Sequence, residues 1–326
     1  MPERAERIRR FLADAGWPAA ERRPLAGDAS FRRYDRVHDG KRRAVLMDAP
    51  PEHEDVRPFV RVARHLADHG LSAPAILAAD EAAGLLLLED LGDDLYTRVL
   101  RQGADEATLY AVAVDVLAGL HDGARPLDVP PYDDARLIAE ADLLLDWFLP
   151  AVERGPVAEE TRAAYHAAWA AVLPIARAVP VRLVLRDYHA DNLIWLPERD
   201  GARRCGLLDF QDAVTGPLAY DLVSLLEDAR RDVAPATAAR TIERYLAQSS
   251  CDRAAFGAAY AVLGAQRNAK IIGIFTRLWR RDGKPLYLDY MPRVWAHLDR
   301  DLAHPALEPV RRWFADHCPP ACRRRP

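Results

Sequence analysis

The sequence predicts an α+β fold, with a small antiparallel sheet first and a mostly helical part after it. Two patterns carry that prediction. Up to Glu89, short apolar runs bounded by turn residues read as strands with one inserted helix, whereas from Tyr96 onward apolar residues recur at spacings of three and four. With 50% hydrophobic and 29% charged residues among 326, the chain has apolar surface enough for one large domain or two closely packed lobes.

Residues 3–15 place Ile8, Phe11 and Leu12 on one helical face, and Gly16 follows as a stop. Residues 24–37 and 43–48 read as strands, interrupted by Gly27 and by the turn His38-Asp-Gly-Lys41. Val56, Phe59, Val60 and Ala63 predict a helix over 55–69, and strands follow at 75–79 and 85–89. In the second part, Leu109, Val112, Ala113, Val116, Leu117 and Leu120 form one stripe. Further helices are expected over 135–149, 159–178, 217–227, 236–246, 254–281 and 291–302, with short strands at 183–185, 193–196 and 205–208. The tail from Cys318, rich in Pro and Arg, reads as a frayed end.

Composition excludes several classes. Lys and Arg number 45 against 49 Asp and Glu, a net charge of −4, so bulk positive charge does not bind nucleic acid here. The aliphatic run 85–88 falls far short of the roughly 20 residues that span a bilayer. The acidic N-terminus lacks the apolar segment of a secretory signal, which points to the cytoplasm and to reduced thiols. The pair Cys318 and Cys322 has no second ligand pair to complete a metal site. A monomer or weak dimer is expected.

The chemistry concentrates in Leu185-Arg-Asp-Tyr-His-Ala-Asp-Asn192 and Gly206-Leu-Leu-Asp-Phe-Gln-Asp212. Asp187 and Asn192 are five residues apart, and Asp209 lies 22 beyond Asp187. Taken singly, Asp187, Asp191 and Asn192 suit Asx turns and Asp209 a strand end. Taken together, they suit phosphoryl transfer, in which one carboxylate orients an attacking hydroxyl while a second carboxylate and an amide oxygen hold a hard cation.

These segments resemble the aminoglycoside phosphotransferase family of the protein-kinase-like fold, whose catalytic loop commonly reads H-G-D-x-H-x-x-N with a downstream I-D-[FW]. Within it, the chain is most similar to the bacterial anomeric sugar kinases. The stretches that carry this are Asp28-Ala-Ser-Phe-Arg-Arg-Tyr34, Met47-Asp-Ala-Pro-Pro-Glu52, Asp209-Phe-Gln-Asp-Ala213, Tyr220-Asp-Leu-Val-Ser-Leu225 and Gln266-Arg-Asn-Ala-Lys-Ile-Ile-Gly-Ile-Phe275. The resemblance implies a bilobal kinase: an N-lobe over 1–89, a linker at 90–94, a helical C-lobe over 95–317 and a flexible tail over 318–326. It implies ATP and Mg2+ as cofactors and an amino sugar as acceptor, phosphorylated at the anomeric hydroxyl of N-acetylmuramate or N-acetylglucosamine in cell-wall recycling. Another small alcohol (an aminoglycoside, choline or a homoserine-like compound) is the first alternative, and a nucleotide-binding pseudokinase the second.

By that resemblance Asp187 is the catalytic base, Asn192 and Asp209 are the metal ligands, and Asp221 is a buried organiser. No G-x-G-x-x-G loop is present, so the phosphate cover falls to the segment 26–31, with Ser30 and Phe31. The strand that should offer a phosphate-pairing lysine has Met47 instead, and the helix after it has no partner glutamate. Arg32 or Arg33 is the substitute cation, and strand alternation allows one of them to face the nucleotide. Leu185 replaces the usual loop His. Glu89, Asp90 and Leu91 form the stretch whose backbone meets adenine, with Leu86, Leu88 and Ile194 as apolar walls. For the acceptor, Trp147 offers a stacking face, and Asp146, Tyr188, His189 and Asp212 offer hydroxyl partners. The acidic excess of four charges is too small for a polycation pocket, and Arg277, Arg280 and Arg281 cluster late in the chain, which favours a neutral or carboxylated sugar.

Overall fold

The computed structural model describes residues 2–25, 31–122, 127–153, 155–323 and 325–326. They divide into two compact units, Met1–Leu120 with Ala190–Asp212, and His121–His189 with Ala213–Pro326. No helix among the described residues is long and apolar enough to cross a membrane.

The first unit is built on five antiparallel strands, β1 (Glu21–Pro24), β2 (Arg33–Asp39), β3 (Arg42–Asp48), β4 (Ile76–Asp80) and β5 (Leu85–Glu89), in the order β1-β2-β3-β5-β4. Strand alternation sorts their side chains. Val37, Ala44, Leu46, Leu85 and Leu87 pack with Ile8 and Leu12 of helix α1 (Pro2–Asp14) and with Trp17. Met47, Leu86 and Leu88, one step out of phase, take the opposite face and are buried there. Gly84 closes the β4–β5 turn at φ +66°, where a Cβ would lie 1.9 Å from the Ala49 carbonyl oxygen. Helix α2 (Arg57–Asp68) buries Phe59, Val60, Val62, Ala63 and Leu66. The sheet gains a strand at β1, ahead of the expected start at residue 24. The expected turn at Gly27 and the segment 26–30, including Ser30, lie outside the described residues.

This unit takes in more than residues 1–89. It includes α3 (Tyr96–Arg101), nearly all of α4 (Glu106–His121) and the ribbon of β7 (Leu193–Trp195) with β8 (Cys205–Leu207). Bridges Leu95 to Ile194 and Ser72 to Gly206 tie the ribbon to it.

The second unit holds α5 (Asp134–Ala141), α6 (Leu149–Glu153), α7 (Glu159–Ala176), α8 (Tyr220–Leu226), α9 (Pro235–Gln248), α10 (Arg253–Asp282), α11 (Met291–Leu302) and α12 (Glu308–His317). A two-stranded pair, β6 (Val181–Val184) with β9 (Val214–Pro217), completes it. Helix α10, about 45 Å long at 1.5 Å per residue, is its spine. Asp252 caps its start by accepting from Ala255 N at 2.8 Å, and Gly283 ends it at φ +64°. A Cβ on Gly273 would come within 2.2 Å of the Leu143 backbone, so the glycine allows two backbones to touch.

Three expectations are corrected here. The helix expected over 135–149 breaks into α5, a π-helical turn Leu144–Phe148 and α6, an arrangement that keeps Leu144, Leu145, Phe148 and Leu149 all buried. The helix expected from 217 starts at Tyr220, because Val214–Pro217 pairs with β6 instead. The tail is not frayed at Cys318, which is buried. Arg323 donates to the Cys318 carbonyl at 3.0 Å, pairs with Asp299 and lies 4.8 Å over the Trp295 ring.

Candidate active site

In the second unit, β6 delivers the chain to Leu185, and the loop that follows is braced from below. Asp221, fully buried on α8, accepts from the backbone N–H groups of Leu185 at 2.7 Å and Arg186 at 2.9 Å. Burial pushes its carboxyl up to about 7; the two N–H donors oppose that and the Asp187 charge adds to it. Arg186 stands where the common loop has glycine, and its φ of +71° shows why glycine suits that position. A non-glycine residue there costs about 1–3 kcal/mol, and the side chain offsets it by pairing with Glu140 and lying 5.6 Å from the Tyr132 ring centre.

Glu140 is a hub. It also accepts from Lys270 Nζ at 2.8 Å and from the Tyr132 hydroxyl. Burial raises its carboxyl, but Lys270 and Arg186 outweigh that and hold it below the usual range. Asp187, half-buried, shows the same competition: desolvation pushes it up, while Lys270 first, then Arg186 and Arg267, help to bring it down overall. An ionised carboxylate beside several cations is the result. Tyr188 and His189 are buried. Burial first, then Arg230, lowers the His189 pKa, so its ring stays neutral with Nε2 3.4 Å from the Arg230 guanidinium.

In the first unit, the β7–β8 ribbon pairs Leu193 with Leu207, and one step further Leu208 N donates to the Asn192 carbonyl at 2.9 Å. Asn192 and Asp209 therefore leave the same end of the ribbon. Asp209 turns the chain at φ +56°, a conformation Asp tolerates better than most residues. Its Oδ1 accepts from Gln211 at 2.9 Å and faces Arg32 at 3.5 Å. Asp191 instead takes the Thr97 hydroxyl and anchors the turn to α3. Among the described residues, no three His, Cys, Asp or Glu side chains gather as a metal site. The amide and carboxylate oxygens of Asn192 and Asp209 are the hard donors that suit magnesium, which keeps waters and takes its other ligands from phosphate.

Of the two candidate arginines, Arg32 is nearly buried and faces Asp209, while Arg33 is exposed. Phe31 is exposed and stacks on His53 at 4.8 Å. Met47 is fully buried between Tyr34 and Leu86 in register, so that strand position offers no cation. The side chains of the 89–92 stretch are occupied: Glu89 pairs with Arg199, and Asp90 accepts from Arg36 at 3.1 Å and from Gly92 N at 3.0 Å. Leu91 is buried, and a Cβ on Gly206 would lie 3.0 Å from its side chain.

The acceptor candidates differ. Trp147 is half-buried on the π-helical turn, whereas Asp146 is exposed and accepts from Arg162 at 2.6 Å. Asp212, in the first unit, is exposed. Lys270, Glu140 and Arg267 were not among the sequence candidates. For Lys270 and Arg267 the signal is the stretch from Gln266, which carries the resemblance without showing which of its residues reach the loop; Glu140 lies outside every such stretch.

Comparison with known proteins matches residues 21–260 to the family described as "Phosphotransferase enzyme family". A curated relative from Caulobacter vibrioides, named N-acetylmuramate/N-acetylglucosamine kinase, is 42% identical over 96% of each chain. One of the same name from Pseudomonas aeruginosa is 39% identical over 90% of this chain and 88% of its own. Among solved structures, a choline/ethanolamine kinase family protein from Mesorhizobium loti has a TM-score of 0.64 at 15% identity, covering 95% of this chain and 99% of its own. An ADP-bound aminoglycoside phosphotransferase has a TM-score of 0.60 at 16% identity, covering 91% of this chain and 96% of its own. These two share the fold, which in this chain is a five-stranded antiparallel sheet followed by a mostly helical remainder.

Proposed function

This chain belongs to the phosphotransferase enzyme family, and on that premise we propose that it is an ATP- and magnesium-dependent kinase acting on the anomeric hydroxyl of N-acetylmuramate or N-acetylglucosamine. The observation that carries the reading is the nearly full-length likeness to kinases of that name. A cytoplasmic place in cell-wall recycling goes with it, where ATP is supplied and the four thiols stay reduced.

Asp187 is the base in this reading. Held below the usual carboxylate range, it is ionised at neutral pH and too weak to remove a hydroxyl proton early. It orients the acceptor and receives the proton late. An anomeric hydroxyl is more acidic than an ordinary alcohol, which suits a weak base. The acceptor oxygen bonds to the γ-phosphorus, the bond from that phosphorus to the β–γ bridging oxygen breaks, ADP leaves, and the proton passes to Asp187. Asn192 and Asp209 would hold the magnesium, which when bound neutralises phosphate oxygens. Arg32 stands in for the strand lysine, and a guanidinium fork matches phosphate oxygens well. The cations around Asp187 also oppose binding of a polycationic aminoglycoside.

The test is ADP release from Mg-ATP with N-acetylmuramate, N-acetylglucosamine, choline or an aminoglycoside as acceptor. Turnover with the amino sugars and background with the other two is expected. Turnover confined to choline or the aminoglycoside, or none with any acceptor, contradicts the reading and in the last case favours a pseudokinase.

A further inference from the structure

Helix α10 and the segment running from α5 through the π-helical turn are parallel neighbours in nearly constant step. Gln266 Nε2 donates to the Leu137 carbonyl at 2.8 Å, Lys270 Nζ to Glu140 at 2.8 Å, and Gly273 touches the backbone of Leu143. Four residues beyond the Gly273–Leu143 contact on each segment stand Arg277 on α10 and Trp147 on the π-helical turn. The two are alike in a second respect: each is half-buried, with part of its side chain open to solvent.

Arg277 stands apart from the other basic residues at this end of α10. Arg281 is tied to Asp282 at 2.7 Å, and the Arg280 guanidinium lies 5.7 Å from the Trp279 ring centre. Both sit in the last turn, where cations complement the helix dipole. Arg277 is a turn earlier. Its Nε is buried with no hydrogen-bond partner, and it makes no ion pair with any described carboxylate. Burial and repulsion from Arg281 lower its pKa, and the Asp282 charge, itself paired to Arg281, opposes them without outweighing them. Helical side chains lean toward the N-terminus of their own helix, so Arg277 leans back along α10 toward Lys270 and the loop that carries Asp187.

We propose that Trp147 and Arg277 form the acceptor subsite that reads a carboxylate, with the indole face against the sugar and the guanidinium fork on the acid. The inference rests on the function proposed above. N-acetylmuramate is N-acetylglucosamine bearing a lactyl ether on O3, so the two sugars differ by one carboxylate. An arginine with no anion of its own distinguishes them, because Arg binds carboxylates in a two-pronged, charge-assisted geometry. The anomeric oxygen goes to Asp187, and the lactyl group on the far side of the ring points along α10.

The test is the ratio of kcat/KM for N-acetylmuramate to kcat/KM for N-acetylglucosamine, measured in the wild-type protein, Arg277→Gln and Arg277→Lys. The ratio is expected to fall at least tenfold in Arg277→Gln and to recover in part in Arg277→Lys, which restores the charge without the fork. Because each variant is its own control, partial misfolding does not move the ratio. A ratio within twofold of wild type in Arg277→Gln overturns the subsite while leaving the kinase reading intact. Wild-type protein that phosphorylates neither sugar overturns both.

Discussion

At the scale of single residues, function and stability rest on how burial and neighbouring charge divide each titratable group's behaviour. Asp187 is surrounded by cations that keep it ionised, and it touches the acceptor rather than the nucleotide in the proposed chemistry. Asp187→Asn is therefore expected to lower kcat by at least about a thousandfold, consistent with removal of a general base and its orienting charge. Nucleotide affinity, measured by titration, should stay within about threefold; retained kcat contradicts the assignment. His121 shows the opposite case. It is buried, its Nδ1 lies 2.6 Å from the Tyr245 hydroxyl and its Nε2 3.1 Å from the Leu183 carbonyl, so Nε2 carries the proton and Nδ1 accepts one. Burial lowers its pKa from 6.5 to about 4. Between those values the unfolded chain binds a proton that the folded chain does not, so protons favour unfolding. The stability due to neutral His121 is complete above pH 6.5 and falls by about 3 kcal/mol as pH drops to 4. Urea denaturation of wild type and His121→Gln should show a stability gap that narrows by that amount between pH 7 and pH 4, and a gap independent of pH contradicts this account.

At the scale of elements, the residues proposed as base and metal ligands stand out in the sequence because their types crowd into two short segments on a strand-loop-strand frame. Leu193–Trp195 and Cys205–Leu207 form the ribbon that those segments suggested, and its register sends Asn192 and Asp209 from one end. The surroundings of Asp187 are harder to read. Glu140 and Lys270 lie on different helices, and nothing in the local pattern of either says that they meet over Arg186. Arg186 itself is hidden because a positive φ is unexpected for arginine; its role emerges only with Glu140 and Tyr132 in place. The break in the helix expected over 135–149 escapes periodicity for a related reason. Apolar residues at 144, 145, 148 and 149 satisfy an α-helical stripe, while contact of Gly273 with the Leu143 backbone is a tertiary condition. Similarly, Val214–Pro217 follows the demand of β6 for a partner and not the propensity of the next helix.

At the scale of the whole molecule, the change from strand to helical periodicity foretells the α+β architecture, and the side chains of β3 and β5 alternate between two faces that are both buried. The contact division is less legible. Ala190–Asp212 belongs with the first unit, although it follows directly on the loop held by α8 in the second, because bridges at Ser72 and Leu95 claim the ribbon. One continuous motif is thus divided by packing, with Asp187 counted in the second unit and Asn192 and Asp209 in the first. The central claim, that this assembly phosphorylates an amino sugar at its anomeric oxygen, is tested most directly by phosphorus NMR of the product formed from Mg-ATP and N-acetylmuramate. The account predicts one new phosphomonoester whose phosphorus couples to the anomeric proton, accompanied by an equal amount of ADP. A phosphomonoester coupled to the protons on C6, or no phosphorylated sugar at all, would contradict it.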